Sequence, residues 1–214
     1  MSAEGYVTSH TDHTGIATIE FSHPQSNSLP GKLLQLLAQT INQAGSDERT
    51  RVIILRSGGE KTFCAGASFD ELTAISEEAE GLAFFSGFAH VINALRKCPQ
   101  FVIARIQGKC VGGGVGIAAA ADYAIAVKQA AVKLSELAVG IGPFVVGPAV
   151  ERKTGAAAFS HLAIQATQWH TAEWALQKNL FAEVYDQAED MDKAIGQLAA
   201  TLAGSSPQAM AELK

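Results

Sequence analysis

Cysteine is scarce in this chain of 214 residues: Cys64, Cys98 and Cys110 are odd in number and lack CxxC spacing. That argues against a disulfide framework or a structural zinc site and fits a reducing cytoplasmic compartment. A basic excess is also lacking. Asp and Glu number 21 against 16 Lys and Arg, for a net charge of −5 and a pI near 5.7. Bulk electrostatics therefore offer no footing for nucleic acid or an anionic membrane, and a polyanionic ligand must be held by a local group of donors. No long apolar run is unbroken. The longest, 111–127, is interrupted by Asp122 and diluted with Gly and Ala; a membrane span needs about 20 mostly apolar residues, so this run reads as buried core. Residues 1–6 have neither a basic n-region nor an apolar h-region, so no secretory signal is expected there.

Hydrophobic residues make up 48% of the chain and charged residues 17%, a mix that buries a full core in one domain. Residues 6–9 and 15–21 are β-rich around a polar turn and predict a hairpin. Pro30-Gly31 opens a helix with Leu33, Leu34, Leu36, Leu37 and Ile41 mostly on one face. Residues 52–55 and 101–106 contain continuous apolar runs typical of strands buried on both faces. A long helix is expected over 77–97, its apolar face built by Leu82, Phe85, Phe88, Ala89, Ile92 and Leu95, with Pro99 as its stop. A glycine-rich turn over 108–116 leads into a small-residue helix through Ala120. Strands at 123–127 and 132–134 follow, then helices at about 144–154, 156–164, 171–177 and 191–204, with Ser206-Pro207 opening another. The loose alternation of strands and helices is that of the α/β class. No linker divides the chain; a core domain over 1–190 and the start of a C-terminal helical region over 191–214 are expected.

Three segments can carry chemistry. In Phe63-Cys64-Ala65-Gly66-Ala67-Ser68-Phe69-Asp70, small residues let the backbone approach a ligand closely. Gly108-Lys109-Cys110-Val111-Gly112-Gly113-Gly114-Val115-Gly116 follows a buried strand and enters a helix, where free N–H groups and the dipole favour negative charge. Lys133-Leu134-Ser135-Glu136-Leu137-Ala138-Val139-Gly140 offers one carboxylate between apolar neighbours.

In this order and spacing, with Asp122 ending the small-residue helix and Pro24…Asn27-Ser28-Leu29 upstream, the segments resemble the enoyl-CoA hydratase/isomerase (crotonase) superfamily over about residues 15–185. The resemblance implies a spiral of ββα units with two roughly perpendicular sheets. It implies an acyl thioester substrate, with coenzyme A as part of the substrate and neither a bound cofactor nor a metal. The N–H groups of Ala67 and Gly113 would hold the thioester oxygen, and Ala65, Gly66, Ala67, Ser68, Phe69, Asp70, Gly112 and Gly113 would line the substrate path. Negative charge builds on that oxygen in an enolate, and one preorganised donor is worth about 2.7–4 kcal/mol in comparable sites. Two departures from the family pattern matter. Ser68 replaces a common aspartate and Asp70 a basic residue, which leaves Lys32, Lys61 and Lys109 as unassigned candidates for the phosphates. The family's hydratases also use two glutamates, one matching Glu136 and the other falling here on Gly116. A single carboxylate can take a proton from one carbon and return it to another, as in the family's Δ3,Δ2-enoyl-CoA isomerases, which Gly140-Ile141-Gly142-Pro143-Phe144 also resembles. The resemblance thus implies a proton shuttle through Glu136, with an enoyl-CoA hydratase and a non-catalytic thioester-binding relative as alternatives. It further implies homotrimers or dimers of trimers, and since family chains usually continue into further helices, a C-terminal helical region that is short or truncated here.

Blander readings stand beside these. Glu136 alone reads as a surface carboxylate, since most Glu are exposed. Asp122 reads as a structural hydrogen-bonding residue, and Cys64 and Cys110 as small apolar fillers. Gly114-Val115-Gly116-Ile117-Ala118-Ala119 matches GxGxxA, with Glu136 downstream, and so mimics a dinucleotide fingerprint. Six residues, 108–113, between the strand end and the motif's first glycine, and little room for a crossover helix before Asp122, count against it.

Overall fold

The computed structural model describes residues 4–214; residues 1–3, part of the stretch read for a leader, lie outside the described residues. β1 (Tyr6–Thr11) and β2 (Ile16–Ser22) form the expected antiparallel hairpin. Its turn is tied by Asp12, whose Oδ1 accepts from the N–H groups of Thr14 (2.8 Å) and Ile16 (3.0 Å).

From β2 onward the chain repeats one unit: a strand for the large sheet, a short strand for a smaller sheet, then a helix. β2 leads to β3 (Ser28–Leu29) and α1 (Gly31–Ser46). β4 (Val52–Ser57) leads to β5 (Thr62–Cys64), β6 (Gly66–Ala67), α2 (Phe69–Ala74) and α3 (Glu78–Lys97). β7 (Val102–Ile106) leads to β8 (Lys109–Val111) and α4 (Gly113–Ala120). The next turn holds β9 (Tyr123–Val127), β10 (Ala131–Lys133), a 3-10 turn at Glu136–Val139, α5 (Gly147–Thr154) and α6 (Ala156–Ile164). β11 (His170–Thr171), α7 (Ala172–Gln177), β12 (Glu183–Tyr185), α8 (Ala188–Ala203) and α9 (Pro207–Leu213) follow. The large sheet runs β1-β2-β4-β7-β9-β12, parallel after the hairpin; the smaller ones run β11-β10-β8-β5 and β3-β6.

The large sheet is the centre of the core. Val52, Ile53, Leu55, Val102, Ile103, Ala104 and Ile106 are all fully buried, because helices cover the sheet. α3 starts at a reciprocal capping box between Glu77 and Glu80 and stops at Cys98, just before Pro99. Its Phe88, Val91, Ile92 and Leu95 are buried, and α3 packs on α1. Leu82, expected in that stripe, is instead 71% exposed: the first turns of α3 overhang the core, and periodicity cannot tell how far along a helix the cover extends. The glycine-rich stretch expected as a turn contains the strand β8, paired with both β5 and β10. α4 has no polar face, and every one of its residues is buried. Met191, Ile195 and Ala199 of α8 join the same core, and Arg105 clasps Asp192 through two bonds of 2.5 and 2.8 Å. Asp122 is structural, accepting from Val102 N–H (2.8 Å) and pairing with Lys214 Nζ (2.8 Å). Among the described residues no helix is long and apolar enough to cross a membrane.

Candidate active site

A cavity of about 200 Å³ opens between β6, α2, α3, the start of α4 and the 3-10 turn. Ala65, Gly66, Ala67, Ser68, Phe69, Gly112, Gly113 and Glu136, far apart in the chain, all line it. Asp70 does not. α2 begins at Phe69, and its first turn leaves Asp70 exposed outside the lining. The lysines considered for phosphate binding are not in the lining either: Lys32 and Lys61 are exposed, and Lys109 Nζ sits 4.9 Å above the Trp169 ring.

The Ala67 peptide is positioned by β3. Ser28 Oγ donates to Ala67 O (2.9 Å) and Ser68 N–H donates to Leu29 O (3.3 Å). Ala67, paired with Leu29 of β3, lines the cavity. Gly66, at φ +92°, lets β6 lie close to the next turn of chain: a Cβ there would stand 3.1 Å from Val111 O and 3.6 Å from Gly113 N. Gly113 is the first residue of α4, so its N–H is one of the helix-start donors without an intrahelical acceptor. Gly112 before it, at φ +51°, is tied down by its own N–H to Lys133 O (2.9 Å). Ala67 on β6 and Gly113 at the start of α4 thus line one cavity, at the positive end of a helix.

Glu136 begins the 3-10 turn that follows β10. Its carboxylate rests on Gly112, where a Cβ would meet Oε1 at 3.1 Å. Burial pushes the carboxyl above its ordinary value, and a bond from its own main-chain N–H draws it partly back. Oε2 is buried and makes no hydrogen bond. A largely desolvated carboxylate with one oxygen unbonded, beside the main-chain amides of Ala67 and Gly113, is the arrangement that exchanges protons with a carbon acid whose conjugate oxyanion such amides hold.

A family model described as enoyl-CoA hydratase/isomerase matches residues 11–214. The chain belongs to the enoyl-CoA hydratase/isomerase family. It is 31% identical to the carnitinyl-CoA dehydratase of Salmonella enteritidis PT4, over 93% of this chain and 75% of that protein. Among solved structures, the enoyl-CoA hydratase from Bacillus anthracis superposes with a TM-score of 0.88 at 27% identity, over 96% of this chain and 79% of that one. Pseudomonas aeruginosa DspI superposes equally well, at 0.88 and 29% identity, over 100% of this chain and 85% of that one. The ββα spiral is therefore the crotonase fold, and the dinucleotide reading falls: Gly114 lies inside α4, and β8 stands between β7 and that helix.

Set in this family, Gly116 is informative. It is buried in α4 and absent from the cavity lining. A Cβ there would stand 2.6 Å from Val146 Cγ1, 2.8 Å from Val146 Cβ and 3.2 Å from Ile92 Cδ1. The place where the hydratase pattern puts its other glutamate is filled by two aliphatic side chains. Val146 itself lines the cavity, as do Leu72, Phe84, Phe85, Phe88 and Val145, none of which was singled out as a site residue. The paired Phe84 and Phe85 near the start of a helix were the signal available. Val146 had none, because it acts by volume alone. Cys64 and Cys110, register partners across β5 and β8, pack behind the donors as fully buried thiols; burial pushes Cys64 up to about 12 and Cys110 well above its ordinary value.

Proposed function

We propose that this crotonase-family, acyl-CoA-processing chain is a Δ3,Δ2-enoyl-CoA isomerase. The thioester oxygen lies between the N–H groups of Ala67 and Gly113. Glu136 removes a proton from C2 of a 3-enoyl-CoA, the donors hold the dienolate, and the same carboxyl returns a proton to C4. The observation that carries this reading is the lining itself: among the described residues Glu136 is the one ionisable side chain in the cavity. Its raised affinity for a proton suits a group that must accept one and give it back. Gly112 and Gly113 are then required for close approach, Glu136 against the one and Phe88 against the other. The same reading includes a cytoplasmic homotrimer or dimer of trimers that recruits no bound cofactor.

Hydration of 2-enoyl-CoA is the second reading, favoured by the names of the dehydratase and hydratase relatives. It needs a further acid/base group to activate water, and Val146 with Ile92 fills the space beside Gly116. Incubation with 3-enoyl-CoA and 2-enoyl-CoA, followed by product identification, separates the two. A migrated double bond is expected, with Glu136→Gln lowering the rate by roughly 10²–10⁴-fold. A 3-hydroxyacyl product without migration, or wild-type turnover by that variant, overturns the shuttle.

A further inference from the structure

The cavity has a wet end and a dry end. Phe69 and Val139 stand at its rim, 62% and 48% exposed, whereas Phe88 and Val146 are only 6% and 3% exposed. Around Phe88, Val145 and Val146 the wall is hydrocarbon; Ser68, also buried in the lining, has its Oγ engaged by Glu71 N–H at 3.3 Å. A hydroxyl, carboxylate or ammonium group carried into that end would lose water and find no partner there. The acyl group that suits the inner end is a plain hydrocarbon tail.

The floor is one side chain deep. Val146 sits directly on Gly116, with its Cγ1 2.6 Å and its Cβ 2.8 Å from where a Cβ at 116 would be. These contacts are possible because residue 116 has no side chain. Beneath Val146 lie the α4 backbone and the Ile92 terminal methyl, 3.2 Å from the same point. Resting on the acyl-CoA reading above, we infer that Val146, seated on Gly116, is the specificity-determining residue of this site, closing the acyl pocket and setting the longest hydrocarbon tail it takes. Position 116 supplies the seat: a methyl group added there must lift Val146 into the cavity, and removal of the Val146 side chain must deepen it.

Saturated straight-chain acyl-CoAs test this without turnover. Their affinities, from butanoyl- to dodecanoyl-CoA, are measured by calorimetry. In the wild type, binding tightens by about fourfold per methylene until the tail meets Val146, and gains nothing beyond. Val146→Gly removes three carbons from a close-packed wall, so the break moves to tails about two to three carbons longer. Val146→Ala moves it less far in the same direction, and Gly116→Ala moves it to shorter tails. Val146 is the N-cap residue of α5, a position where glycine is well tolerated, and Val146→Ala carries the test if the glycine variant does not fold. A break that stays at the wild-type length in the folded Val146 variants overturns this inference alone. A wild type that binds no acyl-CoA more tightly than coenzyme A overturns the acyl-CoA reading together with it.

Discussion

Gly113→Ala is the sharpest perturbation of the proposed donors. A Cβ at 113 would meet three atoms of the Phe88 ring at 2.3, 2.3 and 2.6 Å, where ordinary contact begins at 3.4 Å. Ring and helix start must separate by roughly 1 Å, and Phe88, only 6% exposed, has little room to retreat. Overpacking of this kind costs about 1–3 kcal/mol. For a domain of this size each kcal/mol lowers Tm by roughly 2–4 °C, so a drop of about 2–12 °C is expected. The activity loss has a separate cause. Displacing the Gly113 N–H by about 1 Å removes most of one oxyanion donor, worth about 2.7–4 kcal/mol, or roughly 10²–10³ in kcat. The assay pairs thermal unfolding with kcat on 3-enoyl-CoA for Gly113→Ala, Phe88→Ala and the double variant. The cycle should be non-additive by about 0.5–3 kcal/mol in stability, because deleting the ring makes room for the methyl group. A folded Gly113→Ala protein with a lowered Tm and an undiminished kcat would refute the claim that this amide touches the reacting oxygen.

The Glu136 carboxyl also carries a signature in stability. Its pKa is raised on folding, chiefly by burial, so between the unfolded value, ordinarily 4.5, and the higher folded one the native state binds the extra proton. Stability then falls as pH rises through that window and is untouched below it. Glu136→Gln should therefore melt above wild type at pH 7, with the gap closing towards pH 4; a gap constant across that range would contradict a carboxyl whose proton affinity is raised by burial. Asn27 is a structural test: 4% exposed at φ +56°, it accepts from His23 N–H and donates to Gly58 O and Thr62 O, each at 2.8 Å. Asn27→Ala strands those groups and strains the backbone, so about 3 kcal/mol and a Tm fall of roughly 6–12 °C are expected from thermal scans. A change under about 1 kcal/mol would mean that water replaces the side chain at no cost.

Much of the architecture was legible because its cues are local. The hairpin, the buried strands β4, β7 and β9, and the helices α1 and α3 each carry a run, a period or a stop residue of their own. The shortest strands, β3, β6 and β11, were not expected, since two residues hold no pattern and exist only through their partners. β12 was missed for the same reason, its three half-buried residues being recruited by β9. The candidate site divides likewise. Small residues around Ala67 and Gly113 were readable, because close backbone approach excludes larger ones. That Asp70 falls outside the lining was not readable, because the start of α2 at Phe69 has no apolar period to announce it, and α2 buries no residue. Leu82 and Phe85 were assigned to the core because amphipathicity marks a face without saying whether protein or ligand covers it.

The ladder between β5 and β8 works as a ruler. Cys64 and Cys110 face each other across it, and Ala67 and Gly113 each lie three residues further on. Counting outward from that rung, both stretches leave the sheet, one into β6 and the other through Gly112 at φ +51° into α4, and each reaches the cavity after the same number of residues. An insertion or deletion of one residue in either stretch, 64–67 or 110–113, would leave the hydrophobic content of the protein intact yet slide one amide out of phase with the other.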